Sequence, residues 1–504
     1  MCLRAHPNHL HQMKDQITCF VPLADKEQVA PIIEELSASP MVSRVVMLTT
    51  DEQLARSTGR EDILYVPSLQ STEAIFTMAR MSRGTPYLIY YTKYTPLRLG
   101  YLALKRMVQV MENTHASMVY ADRYQQDGDE QRPAPVIDYQ RGSLRDDFEF
   151  GSVMMFRANV FRATAVTMSS SYHFAGLYDL RLRLSERAPI VHIDEYLYTE
   201  VLSDRRKSGE KIFDYVDPRN RESQIEMERA CTDYLRSVGA YISPDEIKPL
   251  ALDTTGFTRE ASVIIPVRNR VRTIEDAVRS VLSQQASFDF NLIVIDNHST
   301  DGTTDILCRY AADDPRVIHL IPERNDLGIG GCWNLGVQHD ACGRFAVQLD
   351  SDDIYKDEHT LRTVVETFHR EQCAMVIGSY QMTDFHLQPI PPGLIDHKEW
   401  TPENGHNNAL RVNGLGAPRA FYTPLLRALP LPNTSYGEDY AIGLTVSRNY
   451  RIGRIYDPIY ICRRWEDNSD AALDVTRSNR NNFYKDKIRT WELQARIRMH
   501  EEIS

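Results

Sequence analysis

The sequence has no run approaching the roughly 18 apolar residues that a helix needs to cross a bilayer, so no transmembrane segment is expected. Its opening, MCLRAHPNHLHQMKDQ, has no apolar core and no small-residue cleavage site, and therefore does not read as a signal peptide. Basic charge is also short. Lys and Arg number 58 against 69 Asp and Glu, a net charge of −11. A nucleic-acid surface normally leaves a basic footprint, so nucleic acid is excluded as a partner. A small phosphate site stays compatible, because a bound metal ion neutralises a diphosphate locally. The eight cysteines form no CxxC pair and no zinc-ligand spacing. Reduced thiols in the cytoplasm are expected, with room for peripheral association at the inner face of a membrane.

What is present is a chain long enough, at 504 residues, for two or three cores. Short β-rich apolar runs alternate with helical patterns, which predicts an α/β fold. The clearer series begins at Ala261 with the buried-strand run SVIIPV. Ile274, Ala277, Val278, Val281 and Leu282 follow at helical spacing. NLIVID is a second strand run ending at Asp296, DGTTDILCRYAADD a helix, VIHLIP a third strand, and GRFAVQLD a fourth ending at Asp350.

An earlier series repeats that order. ITCFVPL parallels SVIIPV, SRVVMLTTDE parallels NLIVIDNHSTD, DILYVPS parallels VIHLIPE, and TPYLIYYTKY parallels GRFAVQLDSDD. A period of about 240 residues is a domain duplication rather than a solenoid. The expected organisation is an extension at 1–16, a domain at 17–202, a helical linker at 203–259, a second domain at 260–470, and a C-terminal helix at 471–504. DRRKSGEK in the linker reads as an exposed loop.

Ligands in open parallel sheets bind beyond the carboxyl ends of strands, and in the second series acids gather there. LDSDD (residues 349–353) crowds three carboxylates at a strand end, where their repulsion is costly without a cation. Hard oxygen ligands suit Mg²⁺ or Mn²⁺ bound together with a diphosphate. An Asp-rich turn serving as a helix N-cap is the plainer alternative. In VIDNHSTDGT, Asp296 closes a strand and can accept hydrogen bonds from a base or ribose, while Asp301 and Gly302 are ordinary turn residues. In SYGEDYA, Glu438 and Asp439 follow a Gly turn. Either can act as a general base, although acids are also common at helix starts for dipole reasons.

SVIIPVRN, VIDNHSTDGT, NDLGIGGCWNLG, LDSDD, GED and RRW occur in one order between residues 262 and 469. In this the chain resembles the family 2 glycosyltransferases, and the resemblance implies two tandem GT-A-like, Rossmann-like domains, the first degenerate. It further implies an inverting transfer of sugar from a nucleotide-sugar donor to a carbohydrate or other hydroxyl acceptor. By the same resemblance Pro266, Arg268, Asn269, Asp296, Asp350 and Ser351 match the nucleotide-sugar contacts. Asp352 would be the principal metal ligand, with Asp350 beside it. Asp439 matches the catalytic base with Glu438 adjacent, and Arg464 and Trp465 match the end of an acceptor-side motif. Two departures stand out: Ile461 replaces the Gln of the longer motif, and CWN (residues 332–334) stands where many relatives carry an Arg before the Asn.

The first series departs further. YTKY (residues 91–94) replaces LDSDD, Leu48 falls near the place of Asp296, and Asp179 is expected at the place of Asp439. Scaffolding, dimer contact or acceptor binding are the roles left to that domain, and a homo-oligomer is compatible with the sequence. Lys93 offers the one substitute cation there. A sugar nucleotidyltransferase would need a Gly-rich phosphate loop where VRNRVRTIE stands. GIGG (residues 328–331) follows the third strand, so it fails the dinucleotide context and reads as a flexible turn. A non-catalytic carbohydrate-binding protein is the rival from another class.

Overall fold

Residues 16–201, 220–252, 256–465 and 474–503 are described by a computed structural model. Residues 1–15 of the expected extension (1–16), the DRRKSGEK loop and residues 466–473 lie outside them. The described chain forms two compact units. One comprises 16–201 with 221–238 and 474–486, the other 239–465 with 487–503.

The first unit contains β1 (Ile17–Pro22), β2 (Val42–Thr49), β3 (Ile63–Tyr65), β4 (Tyr87–Tyr91), β5 (Leu97–Leu99), β6 (Met118–Asp127), β7 (Glu130–Ala134), β8 (Val153–Arg157) and β9 (Ile190–Val201). The second contains β10 (Ala261–Val267), β11 (Phe290–Asp296), β12 (Val317–Leu320), β13 (Phe345–Gln348), β14 (Ile354–Tyr355), β15 (Met375–Asp384), β16 (Pro389–Ile395), β17 (Arg419–Tyr422) and β18 (Ile452–Arg464). Each set makes one nine-stranded sheet, ordered 3-2-1-4-8-6-9-5 in the first, with β7 paired to β6 off that path, and 12-11-10-13-17-15-18-14 in the second, with β16 paired to β15. Strand for strand this is a single topology built twice. In both sheets the first four strands of that order run parallel, and the next strand reverses. The fold is therefore α/β, in two copies of one architecture.

The apolar runs become central strands because helices cover both faces of a parallel sheet, leaving no polar side for alternation. Val263, Ile264 and Ile265 are fully buried, each contributing roughly 1.5–3 kcal/mol of apolar burial. The helix Ile274–Leu282 buries Ile274, Ala277, Val278 and Val281, a single stripe at helical spacing. An acidic residue at Val278 would place an uncompensated charge under the sheet.

Register refines three expectations about the first unit. Ile17 pairs with Tyr87 as Ala261 pairs with Phe345. Counting outward, Thr92, Lys93 and Tyr94 stand at the places of Asp350, Ser351 and Asp352. Leu48 is not the counterpart of Asp296. A register shift after Ile17 leaves Ser43 unpaired and moves the match by one, to Thr49. Asp179 is the fourth residue of its helix, Gly176–Arg187, whereas Asp439 is the second of Glu438–Asn449. At about 100° per residue the two acids point to different faces, and Asp179 is taken up by Arg183 at 2.9 Å.

The helix Arg221–Ser237 is not a free linker but part of the first unit. Its Glu226 carboxylate accepts the backbone N–H groups of His173, Phe174 and Ala175 at 3.0, 2.6 and 3.0 Å. Those donors precede the helix Gly176–Arg187, so a borrowed carboxylate caps it. The C-terminal helix, Val475–Ile503, contributes its first turns to the first unit and the rest to the second.

Candidate active site

In the second unit the carboxyl ends of β10, β11 and β13 open onto a cavity of about 450 Å³, a size usual for small-molecule sites. Its lining includes Pro266, Arg268, Arg270, Asn297, Gln348, Asp350, Ser351, Asp352, Asp353, Arg419, Glu438, Asp439 and Arg464. Eight of the residues singled out by sequence meet here: Pro266, Arg268, Asp350, Ser351, Asp352, Glu438, Asp439 and Arg464.

The acidic turn after β13 is fixed from β18. Tyr460 accepts the Asp350 N–H at 3.1 Å and donates its hydroxyl to Asp353 at 2.9 Å. The Arg463 N–H donates to the other Asp353 oxygen at 2.8 Å, and the Arg463 guanidinium reaches the Asp352 carbonyl at 2.6 Å. Asp353 is thus a buried anchor of the turn, and Asp350 and Asp352 are the carboxylates presented to the cavity. Burial, then repulsion from Asp352 and Asp350, raises the Asp353 carboxyl well above its ordinary value. Burial also raises Asp350, partly opposed by the Arg419 guanidinium and reinforced by Asp352.

That crowding is the observation that tests a divalent cation. Two hard carboxylates on one turn, with Asp350 raised in part by the charge of Asp352, fit an ion that takes its remaining ligands from a diphosphate and water. Among the described residues no three His, Cys, Asp or Glu side chains form a ready-made cage.

Three expected contacts are placed elsewhere. Asp296 is fully buried and does not line the cavity. It accepts the Ser299 N–H at 2.9 Å, the Thr304 hydroxyl at 2.5 Å and His319 Nε2 at 3.4 Å. Burial alone would raise its carboxyl, but these bonds hold it well below the usual carboxylate range. Asn269, at φ +55°, uses its side chain on the Thr300 N–H at 2.8 Å. The loop neighbour Asn297, which sequence did not single out, reaches the cavity instead. Trp465 also lies off the lining. Its indole N–H approaches Asp352 at 3.3 Å, and Arg272 covers its ring at 4.9 Å. Trp465 therefore packs behind the acidic turn.

The second pair of acids arrives through a close approach. Gly330 sits in the first turn of the helix Ile329–Gln338, where a Cβ would collide with the Pro432 carbonyl. GIGG is thus no flexible turn. It lets the segment 432–434 lie against a helix and run on to Gly437, whose φ of +78° opens the helix Glu438–Asn449. Asp439 then pairs with Arg419 at 2.9 Å. Glu438 is buried beside it with Oε2 lacking any hydrogen-bond partner. Burial, and next the charge of Asp439, pushes the Glu438 carboxyl up to about 8.

Residues 262–420 match the family model described as Glycosyl transferase family 2. Among curated relatives, the chain is 36% identical over 128 residues to a putative teichuronic acid biosynthesis glycosyltransferase, TuaG, of Bacillus subtilis, covering 25% of this chain and 49% of that one. It is 34% identical over 92 residues to a GalNAc(5)-diNAcBac-PP-undecaprenol beta-1,3-glucosyltransferase of Campylobacter jejuni, covering 18% of this chain and 29% of that one. The chain thus spans about half or less of these relatives' lengths. A solved structure of S. aureus TarS residues 1–349 with UDP-GlcNAc aligns at a TM-score of 0.36 and 23% identity, over 47% of this chain and 72% of that one.

Proposed function

We propose that the second unit, whose residues 262–420 match the Glycosyl transferase family 2 model, catalyses an inverting transfer of sugar from a nucleotide-sugar donor to an acceptor hydroxyl in glycan synthesis. The observation that carries this reading is the meeting of Asp350, Asp352, Glu438 and Asp439 in one cavity at the strand ends. Asp439 is the general base. It takes the acceptor's hydroxyl proton as the oxygen attacks the anomeric carbon, and the bond to the diphosphate breaks with its electrons leaving on phosphate. Arg268 and Arg464 line the same cavity and attract the anionic donor. Asp350 and Asp352 would hold a Mg²⁺ or Mn²⁺ ion, which when bound supplies several kcal/mol of charge stabilisation to the leaving diphosphate. No helix among the described residues is long and apolar enough to cross a membrane.

Glu438, with an unpartnered buried oxygen, is placed to donate a hydrogen bond from its protonated form to a sugar or acceptor oxygen. The reading is tested by offering UDP-glucose, UDP-N-acetylglucosamine and GDP-mannose with Mn²⁺ and a panel of acceptor glycans, and by following the anomeric proton by NMR. An α-linked donor is expected to yield a β-linked product. An α-linked product, or turnover of none of the three donors, contradicts the reading.

A further inference from the structure

The acids of the candidate site sit on two separate segments, the turn after β13 and the first turn of Glu438–Asn449, and chemistry in one cavity requires their spacing to be fixed. A chain of hydrogen bonds joins them. Gln348, the last residue of β13, donates its amide to Asp350 at 2.8 Å. Its amide oxygen accepts the backbone N–H of Arg419 at 3.1 Å. The Arg419 guanidinium is anchored on the Gly416 carbonyl at 2.8 Å and pairs with Asp439 at 2.9 Å. Gln348 is buried and Arg419 largely so, which limits their freedom to swing away.

We infer that Arg419 is a positioning residue for the reaction, holding the Asp439 carboxylate in a set orientation and at a set distance from the Asp350 turn. The inference rests on the reading of Asp439 as the base. Arg419 acts through Asp439 and Gln348, not on the donor, and its cationic fork does two things a neutral side chain does not. It sets a positive charge 2.9 Å from the Asp439 carboxylate, and a nearby cation favours the charged form of a carboxyl group. It also fixes the direction of one carboxylate oxygen while leaving the other to accept a hydrogen bond, here from the Tyr440 N–H at 2.7 Å. An incoming hydroxyl must therefore compete for an oriented carboxylate rather than a freely rotating one. Sequence reading missed both Gln348 and Arg419, because neither belongs to an acidic motif and their bond joins positions 71 residues apart.

The experiment compares kcat and KM of wild type, Arg419→Gln, Arg419→Lys and Asp439→Asn on whichever of the three donors named above is turned over, with melting temperatures confirming folding. Arg419→Gln is expected to lower kcat by about 10²-fold, the scale of a misplaced catalytic group, while the donor and acceptor KM values stay within about threefold. Arg419→Lys, which keeps the charge but not the fork, is expected to recover about tenfold of that loss. If Arg419→Gln keeps kcat within about threefold of wild type, or raises donor KM with kcat retained, the inference is overturned. The latter result would make Arg419 a donor contact. Should Arg419→Gln fail to fold, Arg419→Lys decides alone: full activity overturns the inference, and a kcat loss at constant KM supports it. Asp439→Asn separates the two levels. Wild-type activity in that variant sinks the base assignment itself, whereas an inert Asp439→Asn beside an unaffected Arg419→Gln sinks only the positioning role.

Discussion

Glu438 and Asp439 differ by one position and face different surroundings, Glu438 buried with one oxygen lacking a hydrogen-bond partner and Asp439 paired with a guanidinium. With the Glu438 carboxyl pushed up from 4.5 to about 8, the folded protein keeps a proton that the unfolded chain releases between those values. Its contribution to stability is fully present below about 4.5 and is lost as pH rises toward about 8. Denaturant melts of the metal-free protein are expected to show wild type losing stability relative to Glu438→Gln over that interval. A constant difference between the two would place the proton elsewhere. Asp350 and Asp352 make a second prediction. Chelation should abolish turnover, and Mn²⁺ or Mg²⁺ should restore it, with Asp352→Ala insensitive to the added ion. Undiminished activity after chelation contradicts a metal-assisted departure.

Among the elements, the strands were legible because a parallel sheet buried on both faces needs unbroken apolar runs, and SVIIPV and NLIVID are such runs. The acids were legible because they stand at strand and helix ends in a fixed order. What sequence did not reveal was reach. Asp296 ends a strand as expected, yet three local donors turn it inward. The GIGG run looked like a turn because spacing cannot show a carbonyl pressed against a helix. That contact predicts an order of severity. Gly330→Ala meets the rigid Pro432 backbone, whereas Gly336→Ala meets only side-chain atoms, of Ile295 and Ile264. Overpacking costs about 1–3 kcal/mol, and unfolding measurements should put Gly330→Ala at the costlier end. That variant should also slow turnover, because the displaced segment leads into Glu438. Equal stability of the two variants would contradict the close approach.

At the level of the whole molecule, one topology occurs twice while the acids occur once. Thr92, Lys93 and Tyr94 occupy the strand-end places that Asp350, Ser351 and Asp352 fill in the second unit. Lys93 is exposed and on the opposite unit from the acids, so Lys93→Ala is expected to leave transfer within about twofold of wild type, as surface substitutions usually do. A loss near that of Asp352→Ala would assign the first unit a part in the chemistry.

The most direct measurement is the initial rate of nucleoside diphosphate release, with acceptor present, by wild type, Asp439→Asn and Asp352→Ala. Removing a general base typically costs about 10²–10⁴-fold, so the account predicts a fall of that size for Asp439→Asn and a comparable fall for Asp352→Ala, with both proteins folded. Equal rates for all three would contradict it.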